Sequence, residues 1–302
     1  MTLRRGCFIE KPPSFTIHCT TEKGSDMYIC LNRATAGGRL PLEQFAALAA
    51  EAGFAGADVD MDYAVEKGTA ALRDLFASKN LKYGGWGLPY DWRGPESRLD
   101  EGLARLKAQA VAAASLGIDS CATWIMPSSD LPLMENFSFH VSRLKPAARV
   151  LAEHGLRLGL EFIGPYHLRR RHRHEFLHSA GQMLELADAI GPNTGLLVDV
   201  FHCHTAPVRF DHLAEIPASR VVLVHLNDAP NLPPTVVEDG NRCLPGEGVI
   251  DLAGFMGALK KTGYRGPVSL EVFSAALAAM PPEQAARKAW QAVRQTLPEY
   301  AA

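Results

Sequence analysis

The stretch DLAGFMGALKKTGYRGPVSLEV, at residues 251–272, shows the pattern that decides the fold. Asp251 is a typical N-cap residue, and Phe255 and Leu259 follow it at the spacing of one helix face. Gly263 is predicted to end this helix, because glycine readily adopts the left-handed backbone conformation and the next apolar residue packs back on the last turn. A run rich in β-forming residues comes next, so the stretch predicts a helix that passes directly into a strand.

The same junction recurs along the chain, so helix and strand alternate throughout. It is found at Gly53-Phe54, Asn80-Leu81, Gly117-Ile118, Gly155-Leu156 and Gly263-Tyr264. These junctions, together with runs of Val, Ile and Leu, predict strands at residues 27–33, 56–60, 82–88, 119–125, 158–163, 195–200, 221–226 and 267–272. Strict alternation requires parallel strands covered by helices, and eight such units predict an α/β fold with a single (β/α)8 TIM barrel rather than an open doubly wound sheet. No G-x-G-x-x-G motif follows the first strand, which disfavours a dinucleotide-binding fold.

The predicted domain organisation is a barrel at residues 27–302, preceded by an N-terminal extension at residues 1–26. The extension lacks a clear period and is rich in turn formers, whereas a strand begins abruptly at Met27. Whether residues 1–26 belong to the native protein stays open, because translation starting at Met27 is an alternative.

Composition narrows the possible partners and locations. Lys and Arg total 31 against 33 Asp and Glu, so the chain has no long-range field that attracts a polyanion, and we expect no nucleic-acid partner. The six cysteines form no C-x-x-C pair and no disulfide-like spacing, which favours a reducing, cytoplasmic setting. No apolar run is long enough to cross a bilayer, and Glu10 and Lys11 interrupt any signal-like segment, so we expect neither membrane insertion nor export.

Four consecutive predicted strands end on residue types that bind metals. The segments are LGLEFIGP with Glu161, LLVDVFHCH with Asp199 and His202, VVLVHLND with His225 and Asp228, and VSLEVF with Glu271. The carboxyl ends of barrel strands converge on one mouth, and a carboxylate buried there needs a partner charge, a hydrogen-bond network or a metal. Three oxygen donors and one nitrogen donor suit Mn²⁺, Mg²⁺ or Co²⁺ somewhat better than a structural Zn²⁺ site, with Zn²⁺ still open. The alternative is a structural network of buried carboxylates and imidazole.

These residues resemble the xylose isomerase-like TIM barrel superfamily, in its sugar phosphate isomerase/epimerase group. The resemblance spans about residues 27 to 298 and is most specific in the Glu of LGLEFIGP, the D-x-x-H of VDVFH, the H-x-x-D of HLND and the run PGEGVIDLAGFMGALKKTGYRGPVSLEVF. It implies one divalent metal ion bound by Glu161, Asp199, His225 and Glu271, with His202 and Arg242 in contact with substrate oxygens.

The resemblance also implies a reaction. A proton is transferred at a carbon next to a carbonyl through a cis-enediolate, with Glu161 and Glu271 as base and acid. We therefore expect a metal-dependent isomerase or epimerase of a sugar, a sugar phosphate or a related keto-polyol. Dehydratases of the same superfamily, acting on keto-inositols or dehydroshikimate, are the nearest alternative.

Two less similar functions are weighed against this prediction. Apurinic-site endonucleases share the barrel and most of these positions but use further histidines on the third and fourth strands, where this chain reads YGGWGLPY and CATWIMPSS. A non-catalytic binding protein is the other alternative, and the complete donor set argues against it. The oligomeric state stays open, with a homo-oligomer as one expectation.

Further candidate residues come from the loops and the remaining strand ends. Trp86 and Trp124 end the third and fourth strands, where an aromatic face can pack on a sugar or simply on the barrel rim. Arg242 has the alternative of a solvated loop arginine, and His202 that of a residue holding Asp199. Asp228 is expected to cap the turn that follows it or to hold a ligand. The basic segment 167–178 is interpreted as a solvated loop face, with an anion site as the alternative.

Overall fold

The computed structural model describes residues 27–206 and 208–300. Within these ranges eight strands form one sheet: β1 (Tyr28–Leu31), β2 (Gly56–Ala57), β3 (Lys82–Tyr83), β4 (Ser120–Ile125), β5 (Arg157–Phe162), β6 (Thr194–Asp199), β7 (Val221–Leu226) and β8 (Pro267–Leu270). Every pairing in this sheet is parallel. The predicted extension at residues 1–26 lies outside the described residues.

The strand order shows that the sheet curls into a barrel. Neighbouring strands run in the order β3-β2-β1-β8-β7-β6-β5-β4, so β1 pairs with β8 and only β3 and β4 are left at the two edges. Those edges meet through residues that follow β3, because Leu88 N donates to Ala122 O at 3.0 Å and Ala122 N donates to Trp86 O at 3.0 Å. The predicted (β/α)8 barrel fold is confirmed.

Helices cover the outside of this sheet. Their bounds are α1 (Leu42–Ala52), α2 (Met61–Lys67), α3 (Thr69–Ala77), α4 (Leu99–Ser115), α5 (Leu133–Ala152), α6 (Tyr166–Arg169), α7 (Ala180–Ile190), α8 (Val200–Thr205), α9 (Phe210–Leu213), α10 (Leu252–Thr262), α11 (Ala275–Ala278) and α12 (Pro282–Thr296). Short 3-10 helices lie at Glu96–Arg98, Ala218–Arg220 and Pro298–Tyr300, and an antiparallel pair joins Ser128–Ser129 to His174–Glu175. None of the helices in the described ranges combines the length and apolar character needed to cross a membrane.

The predicted helix-to-strand junctions have the expected backbone geometry. All five junction residues have positive φ, namely Gly53, Asn80, Gly117, Gly155 and Gly263. At the first four, the next residue donates its N–H to a carbonyl in the last helical turn, at 2.9 to 3.0 Å. This bond and the buried apolar side chain that accompanies it stabilise the end of each helix.

The interior of the barrel is apolar beneath the carboxyl ends of the strands. Ala122, Leu197 and Leu223 form a buried cluster there, contributed by β4, β6 and β7. Between the sheet and the helices lies the larger core, which includes Phe45, Leu106, Phe255 and other fully buried side chains. The cluster inside the barrel lines a cavity at the mouth together with polar side chains from the ends of the strands.

Candidate active site

The barrel brings the four predicted metal-binding side chains together. Glu161 lies in β5, Asp199 ends β6, His225 lies in β7 and Glu271 follows β8. These strands are neighbours, and Asp199 and His225 are register partners. Each residue offers one donor atom, and the four atoms lie within 4.8 Å of one another.

The spacing of these atoms fits the coordination shell of one ion. His225 Nδ1 lies 3.1 Å from Glu271 Oε2, 3.4 Å from Glu161 Oε1 and 3.9 Å from Asp199 Oδ2. Donors at bond lengths of about 2.1 Å around a tetrahedral or octahedral ion are about 3.0–3.4 Å apart. The two shorter distances fit this range, and the four donor atoms, which spread over up to 4.8 Å, would have to draw closer to bind one ion together.

Two buried atoms in this cluster lack a hydrogen bond. Glu161 Oε1 and His225 Nδ1 are both inaccessible, and although they lie 3.4 Å apart and His225 Nδ1 lies 3.1 Å from Glu271 Oε2, the angles at these contacts do not make a hydrogen bond. Leaving a buried polar atom unpaired costs about 1–3 kcal/mol, more for a charged group. A cation between the two atoms would satisfy both, so these residues fit a bound metal.

Charge at the cluster is distributed unevenly. Burial raises the pKa of Glu161. Burial also opposes ionisation of Glu271, but the charge and the close contact of His225, together with the charge of Arg242, outweigh burial and lower the pKa of Glu271. The site thus holds several carboxylates in a desolvated space, which is an environment that favours a divalent cation.

Arg242 is a buried part of the cluster and not a solvated loop residue. It is 4% exposed, and its Nη1 donates to Asp199 Oδ2 at 2.7 Å and to Glu271 Oε2 at 3.0 Å. Nη2 donates to Asp239 Oδ1 at 2.8 Å. The guanidinium also lies over the ring of Phe273, 4.4 Å from its centroid, so its position is closely determined. Contact between Arg242 and a substrate stays a prediction.

His202 lies beside Glu161 and Arg242. It is fully buried in α8, and its Nε2 is 3.9 Å from Glu161 Oε1 and accepts a hydrogen bond from Arg242 Nη2 at 3.4 Å. The alternative that His202 holds Asp199 has no support in these contacts. Asp199 Oδ1 instead accepts from Phe201 N at 2.8 Å and from Asn227 Nδ2 at 2.9 Å.

Asp228 organises the loop that carries Arg242. Its carboxylate accepts hydrogen bonds from the backbone N–H groups of Ala229, Gly246, Gly248 and Ile250, at 2.8 to 3.0 Å. The expected cap on the turn at Ala229 is thus one of four such bonds. Asp228 is held away from the four-residue donor group by this role.

Two lobes of a cavity flank the cluster. The β2 lobe, about 290 Å³, is lined by Asn32, Asp58, Gly85, Trp86 and Gly87 among others. The arginine lobe, about 310 Å³, is lined by Arg171, His202, Asp239, Arg242 and Phe273 among others. Trp124, Glu161 and Glu271 line both lobes, so a ligand in either lobe would lie against the cluster.

The two predicted tryptophans differ in their surroundings. Trp86 is 6% exposed and lines the β2 lobe, whereas Trp124 is 43% exposed and stands between the lobes. Arg93, which sequence reasoning missed, donates to Trp124 O and lies 3.9 Å from the centroids of both the Trp92 and Trp124 rings. Trp124 is therefore held from one side and open on the other.

The basic segment contributes in two ways. Arg169 is structural, because it donates to Gly164 O at 2.7 Å and to Thr205 O at 2.8 Å. Arg171 is exposed and lines the arginine lobe. The interpretation as a solvated face holds for Arg171, but the segment also reaches the rim of the cavity.

Asp58 is the main site residue that the sequence analysis missed. It follows β2, and its Oδ1 accepts hydrogen bonds from Ser269 Oγ at 2.6 Å and Gly85 N at 3.1 Å. Burial raises the pKa of Asp58 to about 6. Asp58 is a metal-binding residue type at the end of a strand, as the other four residues are, but GADVD contains no apolar run that marks where this strand ends.

Comparison with known proteins identifies what this barrel is similar to. Residues 46–296 match the family described as xylose isomerase-like TIM barrel. The solved structure of a xylose isomerase domain protein from Alicyclobacillus acidocaldarius has a TM-score of 0.82 and 32% identity. The match covers 91% of this chain and 100% of that one. A structure described as the IOLI protein with a binding zinc atom has a TM-score of 0.73 and 22% identity, covering 91% of this chain and 99% of that one. The second likeness shows the fold alone.

Sequence relatives with named activities match a part of the chain. An inosose isomerase of Halalkalibacterium halodurans is 31% identical over 134 residues, which is 44% of this chain and 45% of that protein. A 3-dehydroshikimate dehydratase of Pseudomonas putida is 34% identical over 142 residues, which is 45% of this chain and 21% of that protein. The matched segments thus cover less than half of each relative.

Proposed function

Since this chain belongs to the xylose isomerase-like TIM barrel family, we propose that it is a divalent-metal-dependent isomerase or epimerase of a small sugar or keto-polyol. The observation that carries the proposal is the group formed by Glu161, Asp199, His225 and Glu271, whose donor atoms lie within 4.8 Å of one another at the mouth of the cavity. The inosose isomerase relative supports the same class of reaction.

The four residues would hold the cation, with Arg242 and Asn227 fixing two of them from outside. Arg242 bonds to Asp199 and Glu271, and Asn227 bonds to Asp199. A divalent ion held there supplies electrostatic stabilisation of the oxygen that gains negative charge when a proton leaves the adjacent carbon. Mn²⁺, Mg²⁺, Co²⁺ and Zn²⁺ all match this donor set.

Proton transfer is assigned to the two glutamates. Glu161 and Glu271 come from β5 and β8, on two sides of the donor group, and both border the two lobes of the cavity. One carboxylate removes the proton from the carbon next to the carbonyl, and the other returns a proton to the opposite face in an epimerisation. An isomerisation that returns the proton on the same side requires only one of the two carboxylates.

His202 and Arg242 are assigned to orienting the substrate. Both line the arginine lobe next to Glu161 and Glu271. The guanidinium N–H groups already bond to Asp199, Glu271, Asp239 and His202, so Arg242 would contact a substrate oxygen by exchanging one of these bonds. His202 Nδ1 has no partner among the described residues and is the imidazole nitrogen left to donate.

Dehydration is a second candidate reaction, favoured by the 34% identity to a 3-dehydroshikimate dehydratase. It begins with the same proton removal, after which the hydroxyl on the next carbon takes a proton from one of the two glutamates and leaves as water. An apurinic-site endonuclease is disfavoured, because the described residues contain one donor group of this kind and not the larger set that a three-metal site requires.

The proposal is tested by solvent deuterium uptake. We expect the manganese-loaded protein to incorporate deuterium into at least one ketose or inosose in a panel read by mass spectrometry, and EDTA to abolish uptake until Mn²⁺ or Co²⁺ is restored. A dehydration would instead remove one water from the product.

Variants of the two glutamates identify the residues involved. Glu161→Gln and Glu271→Gln should each lower uptake by at least about 100-fold while the barrel remains folded. Asp119→Asn is the matched control, since Asp119 pairs with Arg157 at the opposite end of the barrel. A glutamine variant with the wild-type rate and the wild-type metal content would refute the assignment.

A further inference from the structure

The β2 lobe contains a polar wall to which the proposed reaction assigns no role. Asp58 and Asn32 line it at the ends of β2 and β1, and Trp86 lines it after β3. Asn32 Nδ2 lies 3.4 Å from Glu271 Oε1, so this wall directly adjoins the candidate metal centre. A ligand that lies against Glu271 and fills this lobe must therefore meet Asp58.

Asp58 is held with one oxygen engaged and one oxygen free. Ser269 Oγ and Gly85 N both donate to Oδ1. No group in the described part of the chain donates a hydrogen bond to Oδ2. Oδ2 is nevertheless accessible, because it is absent from the set of buried, unpaired polar atoms. Because Asp58 lines the lobe, Oδ2 is the oxygen left to accept a hydrogen bond from a ligand.

Ser269 places this carboxylate inside the barrel next to the cluster. Residues two apart on a strand point to the same face, so Ser269 and Glu271 both face the interior, with Ser269 one layer deeper. Ser269 is also the register partner of His225. Asp58 bonds to Ser269 across β1 and thus lies at the floor of the lobe, beside the residues that would bind the ion.

A second polar group in the same lobe lacks a partner. Trp86 is more than nine-tenths buried, and its Nε1–H is inaccessible and has no hydrogen-bond partner among the described residues. The nearby cation, Arg33, donates to Leu40 O at 2.8 Å and lies over the Phe45 ring, and the carboxylates of Asp60 and Asp58 lie near enough to interact with its charge. The lobe therefore offers one acceptor, Asp58 Oδ2, and its wall carries the positive charge of Arg33 as well as the negative charge of Asp58.

We propose that Asp58 binds a hydroxyl group of the substrate, which makes the β2 lobe a polyol subsite and a neutral keto-polyol the substrate class. This inference rests on the proposed function, and it extends it from a reaction type to a kind of molecule. A carboxylate accepts hydrogen bonds from hydroxyl groups strongly and repels other anions. Substrates that carry a carboxylate or a phosphate at this end are disfavoured, which separates a keto-inositol or ketose from a dehydroshikimate-like acid.

Binding of myo-inositol, a neutral polyol that cannot react by this route, tests the subsite without relying on turnover. Titration calorimetry on the manganese-loaded protein should show Asp58→Asn weakening the Kd by roughly tenfold or more, as expected for a hydrogen bond to a charged group. Asp119→Asn, the same change at the other end of the barrel, should alter the Kd by less than about twofold. Equal affinity of the wild type and Asp58→Asn for myo-inositol would overturn the proposal.

Kinetics and selectivity supply independent measurements. With the substrate found by deuterium uptake, Asp58→Asn should raise KM by roughly tenfold and change kcat by less than about threefold, because it removes binding and not proton transfer. If the variant fails to fold, the wild type still decides: it should bind myo-inositol at least about tenfold more tightly than shikimate, a carboxylate of similar size. Tighter binding of shikimate would overturn the proposal.

The outcomes separate this inference from the proposed function. Deuterium uptake by the wild type with an unchanged KM and Kd in Asp58→Asn would refute the subsite and leave the reaction standing. Weakened inositol binding in Asp58→Asn, with no uptake from any keto-polyol, would refute the reaction and leave the subsite standing.

Discussion

Replacing Asp228 with alanine should destabilise the fold substantially, although the residue lies outside the donor group. Its carboxylate accepts four backbone hydrogen bonds, from Ala229, Gly246, Gly248 and Ile250. Residues 244–250 surround it as a loop with no regular secondary structure, so no other backbone pairing is available to these N–H groups. Arg242 lies just before this loop, and its neighbour Cys243 exchanges two backbone bonds with Asp228.

The expected loss follows from the burial of these groups. A buried N–H left without a partner costs about 1–3 kcal/mol, whereas one that water can reach costs much less. Ala229 is fully buried, Gly248 and Ile250 are half-buried and Gly246 is exposed. We therefore expect Asp228→Ala to lower the free energy of unfolding by about 3–5 kcal/mol, and Asp228→Asn, which keeps one acceptor oxygen, to lower it by about half as much.

Two measurements check this value. Urea unfolding followed by tryptophan fluorescence gives the change in free energy, and hydrogen exchange of the peptide covering residues 244–252 reports local protection. Asp119→Ala is the control, because Asp119 forms an exposed ion pair with Arg157 and should cost less than about 1 kcal/mol. A loss below about 1 kcal/mol in Asp228→Ala, with unchanged exchange at Gly246, Gly248 and Ile250, would refute the reasoning.

Two further predictions concern the scaffold. Burial lowers the pKa of His140 to about 4, so the unfolded chain binds a proton that the folded chain does not between about pH 6.5 and 4. Between pH 7 and pH 4.5 the free energy of unfolding should therefore fall by about 2–3 kcal/mol more in the wild type than in His140→Gln. Urea midpoints that change in parallel with pH in the two proteins would contradict this. Gly53→Ala should cost about 2–4 kcal/mol, because φ is +105° and the new Cβ would lie 2.5 Å from Trp290 Nε1. Gly117→Ala, at φ +73° with no atom within 4 Å, should cost only the backbone strain of about 1 kcal/mol, and equal unfolding free energies for the two variants would argue against the clash.

Local signals in the sequence predicted the fold well. The five junctions were recognised because a left-handed residue followed by an apolar one is a short-range pattern, and all five have positive φ. The strands β4 to β7 were placed within about a residue, since long apolar runs define them. By contrast β2 and β3 have two residues each, and the predicted runs at 56–60 and 82–88 continue as irregular backbone.

The candidate site was predictable where it follows from strand order. Glu161, Asp199, His225 and Glu271 end four consecutive strands, and consecutive parallel strands bring such ends together. Asp58 was missed because its strand has only two residues and offers no apolar run to mark its end.

Contacts between distant loops could not be predicted. The burial of Arg242 depends on Asp199 and Glu271, which are 43 and 29 residues away in sequence, and on a loop held by Asp228. Such contacts have no local pattern, because they arise only after the barrel has placed the strand ends side by side.

Calorimetric titration with Mn²⁺ of the metal-stripped protein tests the central claim most directly. We predict one saturable ion per chain, and at least about a 100-fold loss of affinity in His225→Ala and in Glu161→Gln, with Asp119→Asn retaining wild-type affinity. Absence of saturable binding to the wild type, or full affinity in both variants, would contradict a cation shared by Glu161, Asp199, His225 and Glu271.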